Sequence, residues 1–258
     1  MITSSSNPQM KQVAAMIKKA KARNEMDAFV VEGIRMVREV PEDMLIKMYA
    51  SESFLKEHPD MAKSAECVSD KVFKDISDTK TPQGIMALVR QSHYTMEDMM
   101  KLHDHPLFLV LESIQDPGNL GTMLRMAEGA GASGIIMNTS TVDIYNPKVV
   151  RSTMGSVFRV PFIYVDDLTA AAKQLKKDGV HLYAAHLKGE HYYFQENYTL
   201  SSAILIGNEA AGLSDTLAAM ADTYIKIPMD GKVESLNAAM AATILMYEAK
   251  RQRISEKI

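Results

Sequence analysis

From Leu107 onward, apolar runs of strand length alternate with segments of helix length, and no other feature restricts the fold as much. Parallel strands need a crossover of a dozen or more residues between them, so this alternation fits an α/β fold with a mainly parallel, helix-covered sheet. Strands are expected at 107–111, 134–137, 162–165, 180–184, 203–207 and 224–227, and helices at 120–130, 168–177, 214–220 and 236–251. Three of the strands run into a Gly- and Asn-bearing polar loop that opens a helix: LFLVLESIQDPGNLGTMLR (107–125), AILIGNEAAGLSD (203–215) and YIKIPMDGKVESLNAAMAA (224–242). Ligands of open α/β sheets bind beyond the carboxyl ends of the strands, so three such loops can converge on one site.

The first 92 residues read as a separate, smaller α/β domain. Asn7 to Arg23 is expected to be one basic amphipathic helix, with Met10, Val13, Ala14 and Ile17 at helical spacing and Lys11, Lys18, Lys19, Lys21 and Arg23 on the remaining surface. Strands at 28–33, 44–51 and 84–90 follow, with helices at 34–40 and 52–60 and a strand–helix unit at 66–78. The polar stretch 92–106 reads as a linker with room for one helical turn, which sets domain bounds of 1–92 and 105–258.

Composition narrows the function classes. With 47% hydrophobic and 24% charged residues the chain is globular rather than disordered. A net charge of −3 gives no global attraction to nucleic acid, although a local basic stripe counts for more than the total. Cys67 is the only cysteine, which excludes an intrachain disulfide and a cysteine-based zinc site. His181 and His186 fall on opposite sides of an expected strand, and His103, Asp104 and His105 lack the further ligands a metal needs, so no metal is expected. The N-terminal residues lack a signal-peptide core and no apolar run is long enough to span a bilayer, so a cytoplasmic location with no membrane partner is expected.

In the first loop Asp116, Pro117 and Gly118 supply the turn, Asn119 is expected to cap the helix, and Gly121 permits close approach of a ligand or another backbone. Arg125 lies one turn beyond Gly121 on the same side. A cation there opposes the helix dipole, which points to an anionic partner; a simple capped helix with a solvated arginine is the alternative. The pattern G-N-L-G is neither the dinucleotide fingerprint nor a P-loop. In the second loop Glu209 stands between Gly207 and Gly212, and Ser214 caps the next helix. Such a carboxylate can hold a hydroxyl or an arginine, transfer a proton, or simply be a turn residue. In the third loop Pro228, Asp230 and Gly231 fix turns, and Ser235 and Asn237 flank the last helix. Leu236, Met240, Ile244 and Tyr247 form that helix's apolar stripe, expected in the core, while its run of alanines allows close packing against a neighbouring element or a second subunit.

Together the three loops resemble the three motifs of the SpoU (TrmH-like) branch of the SPOUT RNA methyltransferases. The matching residues are Asn119, Gly121 and Arg125; then Gly207, Asn208, Glu209, Gly212 and Leu213; then Ile227, Pro228, Ser235, Leu236 and Asn237. Arg151-Ser152-Thr153-Met154-Gly155-Ser156, followed by Pro161, resembles the family's R-x-S-x-G element. The N-terminal segment resembles the L30e-like substrate-binding domain often fused to this catalytic domain, on Asn7, Lys11, Lys21, Arg23, Phe29, Val30, Glu32 and Gly33.

The resemblance implies a SPOUT α/β fold with a deep C-terminal trefoil knot and an N-terminal L30e-like domain, in a homodimer that shares its active site across the interface. It implies S-adenosyl-L-methionine as cofactor, held by Leu205, Ile206, Gly207, Asn208, Ile227, Pro228, Met229 and Leu236. The implied reaction is methyl transfer to a ribose 2′-hydroxyl of structured RNA, with rRNA favoured over tRNA as the partner. Arg125 is implied as orienter and electrostatic stabiliser, Asn119 and Glu209 as positioning groups, and Ser235 and Asn237 as pocket-shaping groups. Lys11, Lys18, Lys19, Lys21, Arg23 and Arg151 are implied as RNA contacts. One departure stands out: Ala238-Ala239 follow the third-motif Asn where many members have Val-Ser, which would weaken cofactor binding if that serine holds the ligand. A binding or ribosome-assembly factor of the same fold with little activity, a tRNA methyltransferase, and a nucleotide-dependent enzyme of ordinary doubly wound topology are the rival expectations.

Overall fold

Asn7 starts the first helix by accepting the Gln9 N–H on its side chain, and Pro8 occupies the first turn of α1 (Pro8–Lys18). The structure, a computed structural model, describes residues 1–255. Its contacts divide the chain into two units: Met1–Ser92 with Asp143–Phe158, and His93–Val142 with Arg159 onward. The segment Asp143–Phe158, read from sequence as part of the second domain, thus packs with the first unit.

In the first unit the helix expected to run to Arg23 breaks at Lys19, which is extended (φ −133°, ψ 123°), and α2 (Ala20–Met26) starts afresh. The reason is Arg23. Folded back over the end of α1, its Nη1 donates to the carbonyls of Met16 (2.5 Å) and Ile17 (3.4 Å), while Nε and Nη2 bind Asp143 (3.0 and 2.5 Å). Carbonyls at a helix end need such donors, and a continuous helix would have consumed them internally. Strands β1 (Ala28–Glu32), β2 (Leu45–Ser51), β3 (Ala65–Val68) and β4 (Ile85–Arg90) form a sheet of order β1-β4-β2-β3. Helices α3 (Ile34–Arg38), α4 (Glu52–Glu57) and α5 (Asp70–Ile76) connect them, the last two capped by Ser51 and Ser69. The core is built on Met10, Met16, Val30, Phe73 and Met86, and Phe29 packs against Tyr145 and Phe158 of the later segment (ring centroids 4.3 and 6.2 Å).

The second unit begins in the expected linker, where Thr95 and Asp98 form a reciprocal capping box that starts α6 (Met96–Met100) and buries Met99 completely. There follow β5 (Leu107–Leu111), α7 (Pro117–Ala130), β6 (Gly134–Asn138), α8 (Pro147–Thr153, in the first unit) and β7 (Phe162–Val165). The chain continues through α9 (Leu168–Lys177), β8 (His181–Ala185), the short β9 (His191–Tyr192) and β10 (Ser202–Ile206). It ends with α10 (Asp215–Ala218), β11 (Thr223–Lys226) and α11 (Ala238–Ser255). The sheet is parallel throughout, in the order β7-β6-β5-β10-β8-β11-β9. β5 and β10 are buried at every residue, as strands covered on both faces must be. They pair in register up to Leu111 and Ile206, which brings two of the three loops out side by side.

α11 packs against α7 and buries Ala238, Ala239, Ala242, Leu245, Met246 and Ala249, a face that differs from the stripe expected from sequence. Met240 (57% exposed) and Tyr247 (47% exposed), both of the expected stripe, are largely in solvent. Tyr247 covers Gly129 of α7, where a Cβ would stand 2.5 Å from its hydroxyl. Among the described residues no helix is long and apolar enough to cross a membrane.

Candidate active site

Asp116, rather than Asn119, caps α7: its Oδ1 accepts the Asn119 N–H at 2.8 Å, and Pro117 fills the first helical position. Asn119 therefore sits inside the first turn with its side chain free. Its Nδ2 donates to Glu209 Oε1 (2.9 Å), and its Oδ1 accepts from Asn237 Nδ2 (3.0 Å). One carboxamide thus ties the second and third loops to the first. Asn237 in turn caps α11, accepting the N–H groups of Ala239 (2.9 Å) and Met240 (3.3 Å).

Glu209 lies over the N-terminal end of α7, where it also accepts the backbone N–H groups of Gln115 and Asp116, each at 3.2 Å. A helix N-terminus favours an anion. Partial burial pushes its pKa up, but the bonds from Asn119 and from the backbone outweigh burial, and the net pKa lies below the ordinary carboxylate value. A carboxylate so held is an anchor and not a base poised near neutral pH.

The second loop is closed tightly on itself. Asn208 and Gly212 exchange backbone hydrogen bonds (3.0 and 2.9 Å), and Asn208 Oδ1 accepts the N–H groups of Ala210 and Ala211. Asn208 Nδ2 donates to the Ser113 carbonyl at 2.8 Å. At Gly207 a Cβ would fall 2.1 Å from the backbone of Gly212 and Leu213, so the closure requires glycine, and Gly212 itself adopts φ +72°.

Between this loop and the third opens a cleft of about 560 Å³, within the usual range for small-molecule sites. Ile206, Gly207, Asn208, Ile227, Pro228, Met229 and Leu236 line it, as do Glu209 and Ser235. Leu205 does not. Successive strand residues face opposite sides of the sheet, and Leu205 is buried in the core with Leu182 and Leu217. Sequence reading missed Ala185, His186, Leu187 and Tyr192, which line the cleft at the end of β8, just beyond it and on β9. The available signal was that β8 ends at the same edge of the sheet. Ala238 lines the cleft, and Ala239 is buried while donating its N–H to Asn237. The walls suit an adenosyl-sulfonium ligand. Ile206, Ile227 and Leu236 are apolar, Gly212 has open space beside its backbone, and Glu209, Asp230 and Glu234 place carboxylates around the rim to face a positive charge.

Arg125 is exposed on α7, outside the cleft lining, and makes no hydrogen bond or ion pair with any described residue. In the first unit Lys11, Lys18, Lys19 and Lys21 are exposed, Lys21 with a loose ion pair to Glu25 (3.7 Å). Arg23 does not belong with them: it is 4% exposed, and its guanidinium is consumed by Asp143 and the end of α1. Arg151, on α8, is half-buried and paired with Asp78 (2.9 Å). Among the described residues no group of three or more His, Cys, Asp or Glu side chains could hold a metal ion.

Residues 106–247 match the model of the SpoU rRNA Methylase family, and residues 7–87 match the MRM3-like substrate binding domain. The 23S rRNA (guanosine(2553)-2′-O)-methyltransferase of Bacillus subtilis is 31% identical over 233 residues, 89% of this chain and 91% of its own. The human mitochondrial rRNA methyltransferase 3 is 30% identical across 94% of this chain and 72% of its own. The SpoU methyltransferase AviRb from Streptomyces viridochromogenes, solved in complex with the cofactor AdoMet, superposes with a TM-score of 0.85 at 26% identity, covering 96% of this chain and 99% of that one.

Proposed function

This chain belongs to the SpoU rRNA methylase family, and from that membership we propose that it methylates a ribose 2′-hydroxyl of ribosomal RNA, using S-adenosylmethionine. The observation that carries the proposal is the Asn237–Asn119–Glu209 chain, which holds three loops together beside a cleft of fitting size and charge. When bound, S-adenosylmethionine supplies an electrophilic methyl group on a sulfonium centre. The protein's part is to bind, align and stabilise. Gly207 lets the Gly212 backbone come close, the second and third loops would hold the ligand between them, and Ser235 would shape one wall. The Arg125 guanidinium would orient the RNA backbone and stabilise charge as the hydroxyl attacks. Glu209 and Asn237 fix Asn119 at the mouth, where it sets the position of the incoming ribose.

The finer points of the proposal follow the same family pattern. Relatives named for 23S rRNA favour rRNA over tRNA as substrate, and with it a cytoplasmic place of work. The exposed Met240 and Tyr247 on α11 support a homodimer formed through that face. The position of β10 between β5 and β8, with α11 returning onto α7, supports a knotted C-terminal segment. The exposed lysines of α1 and α2 supply the RNA grip of the first unit.

Titration calorimetry with S-adenosylmethionine tests the enzyme against a catalytically silent RNA-binding factor. Saturable binding, weakened by bulk introduced at Gly207, is expected; no binding at millimolar ligand would overturn the proposal.

A further inference from the structure

We propose that Asn138, at the end of β6, is a positioning residue for the cofactor loop and acts through the backbone of Ser113. The inference rests on the cleft being the S-adenosylmethionine site, and it adds to that site residues outside the three motif loops' own contacts.

Among the described residues, three that are not glycine adopt positive φ: Asp27, Ser113 and Met154. Asp27 and Met154 cap helix C-termini, where the left-handed conformation closes the helix. Ser113 (φ +57°) has no such excuse. It lies in the loop after β5, and the cost of its conformation is met from outside. Asn138 grips it on both sides: Oδ1 accepts the Ser113 N–H (2.8 Å) and Nδ2 donates to Ser113 Oγ (2.9 Å). The Asn138 carboxamide is itself fixed by the nearly buried Thr141, whose hydroxyl donates to Oδ1 at 2.9 Å.

The left-handed turn aims the Ser113 carbonyl at Asn208, which donates to it from Nδ2 (2.8 Å); Gln115 Nε2 adds a weaker bond (3.3 Å). The other end of the Asn208 carboxamide holds the N–H groups of Ala210 and Ala211, and all three residues line the cleft. Without Asn138, Ser113 relaxes toward negative φ, its carbonyl swings away, and Asn208 loses the acceptor that sets its rotamer. The turn bounding the cofactor cleft then loosens although no cleft residue has changed.

The full-length chain gives two readouts. Amide exchange at Ala210 and Ala211 is expected to quicken in Asn138→Ala and to return toward wild type in Asn138→Ala/Ser113→Gly, because glycine adopts the left-handed conformation unaided. The dissociation constant for S-adenosylmethionine, by calorimetry, is expected to rise about tenfold in the single variant and recover to within about threefold of wild type in the double variant. Unchanged exchange in Asn138→Ala, or a double variant as impaired as the single, overturns the relay. Wild-type protein that fails to bind the cofactor overturns the cleft assignment instead, and the exchange measurement still decides the relay.

Discussion

Asn119 Nδ2 stands 2.9 Å from Glu209 Oε1, joining a helix N-terminus to a strand-end turn 90 residues later. The contact gives Glu209 a structural office. Its oxygens are taken by Asn119 and by two backbone N–H groups, and Asn119 passes the constraint on to Asn237.

Glu209→Ala is expected to lower methyl transfer at least about tenfold through misplacement of Asn119 and Asn237, with Glu209→Gln milder because it keeps an acceptor. Because the folded pKa lies below 4.5, the ionised carboxylate stabilises the fold at neutral pH, and that contribution is lost as pH falls from the unfolded value through the folded one. The stability gap between wild type and Glu209→Gln is therefore expected to be flat near neutrality and to shrink below about pH 4.5 in urea titrations run at several pH values.

Arg125→Ala is expected to leave the S-adenosylmethionine dissociation constant within about twofold of wild type while cutting turnover at least about a hundredfold, because Arg125 lies outside the cleft and has no described partner. Arg125→Lys should restore little, since an ammonium lacks the guanidinium's fork. Calorimetry beside single-turnover kinetics checks both; a large loss of cofactor affinity would refute the assigned role.

Two glycines of one turn should respond differently. Gly207→Ala places a Cβ 2.1 Å from backbone that cannot yield, so the second loop must open and cofactor binding be lost. Gly212→Ala meets open space and pays only for its φ of +72°, roughly 1–2 kcal/mol. Thermal melts with and without S-adenosylmethionine separate the two cases.

Arg23 and its lysine neighbours should also part company. Arg23→Met strips Asp143 and the end of α1 of their donors and is expected to cost about 3 kcal/mol in chemical denaturation. Reversing the charges of Lys18, Lys19 and Lys21 should leave the melting temperature nearly unchanged, yet weaken RNA binding and flatten its salt dependence.

Strand positions in the second unit were legible because strands covered on both faces read as unbroken apolar runs, and β5, β7 and the three loops lie where the pattern puts them. The misreadings have specific physical causes. The break at Lys19 depends on an Arg23–Asp143 pair 120 residues apart, which no local window contains. Asp116 and Asn119 are both good caps, and the deciding signal was Pro117 at the first helical position. Along α11 the alanines expected to allow close packing are among the buried residues, whereas Met240 and Tyr247 of the expected apolar stripe are exposed, because an apolar side chain does not by itself say which face of a helix meets the sheet and its neighbours. Leu205 was grouped with its neighbours although a strand turns alternate residues inward. The Asn138–Ser113 contact hangs on a backbone angle that the residue name serine does not announce.

Methyl transfer itself is tested most directly by incubating the protein with ribosomal RNA and methyl-labelled S-adenosylmethionine, digesting the RNA to nucleosides and identifying the labelled product by mass spectrometry. The expected result is a single 2′-O-methylnucleoside that disappears with Arg125→Ala. Label on a base, or no label while the cofactor binds, would contradict a ribose methyltransferase.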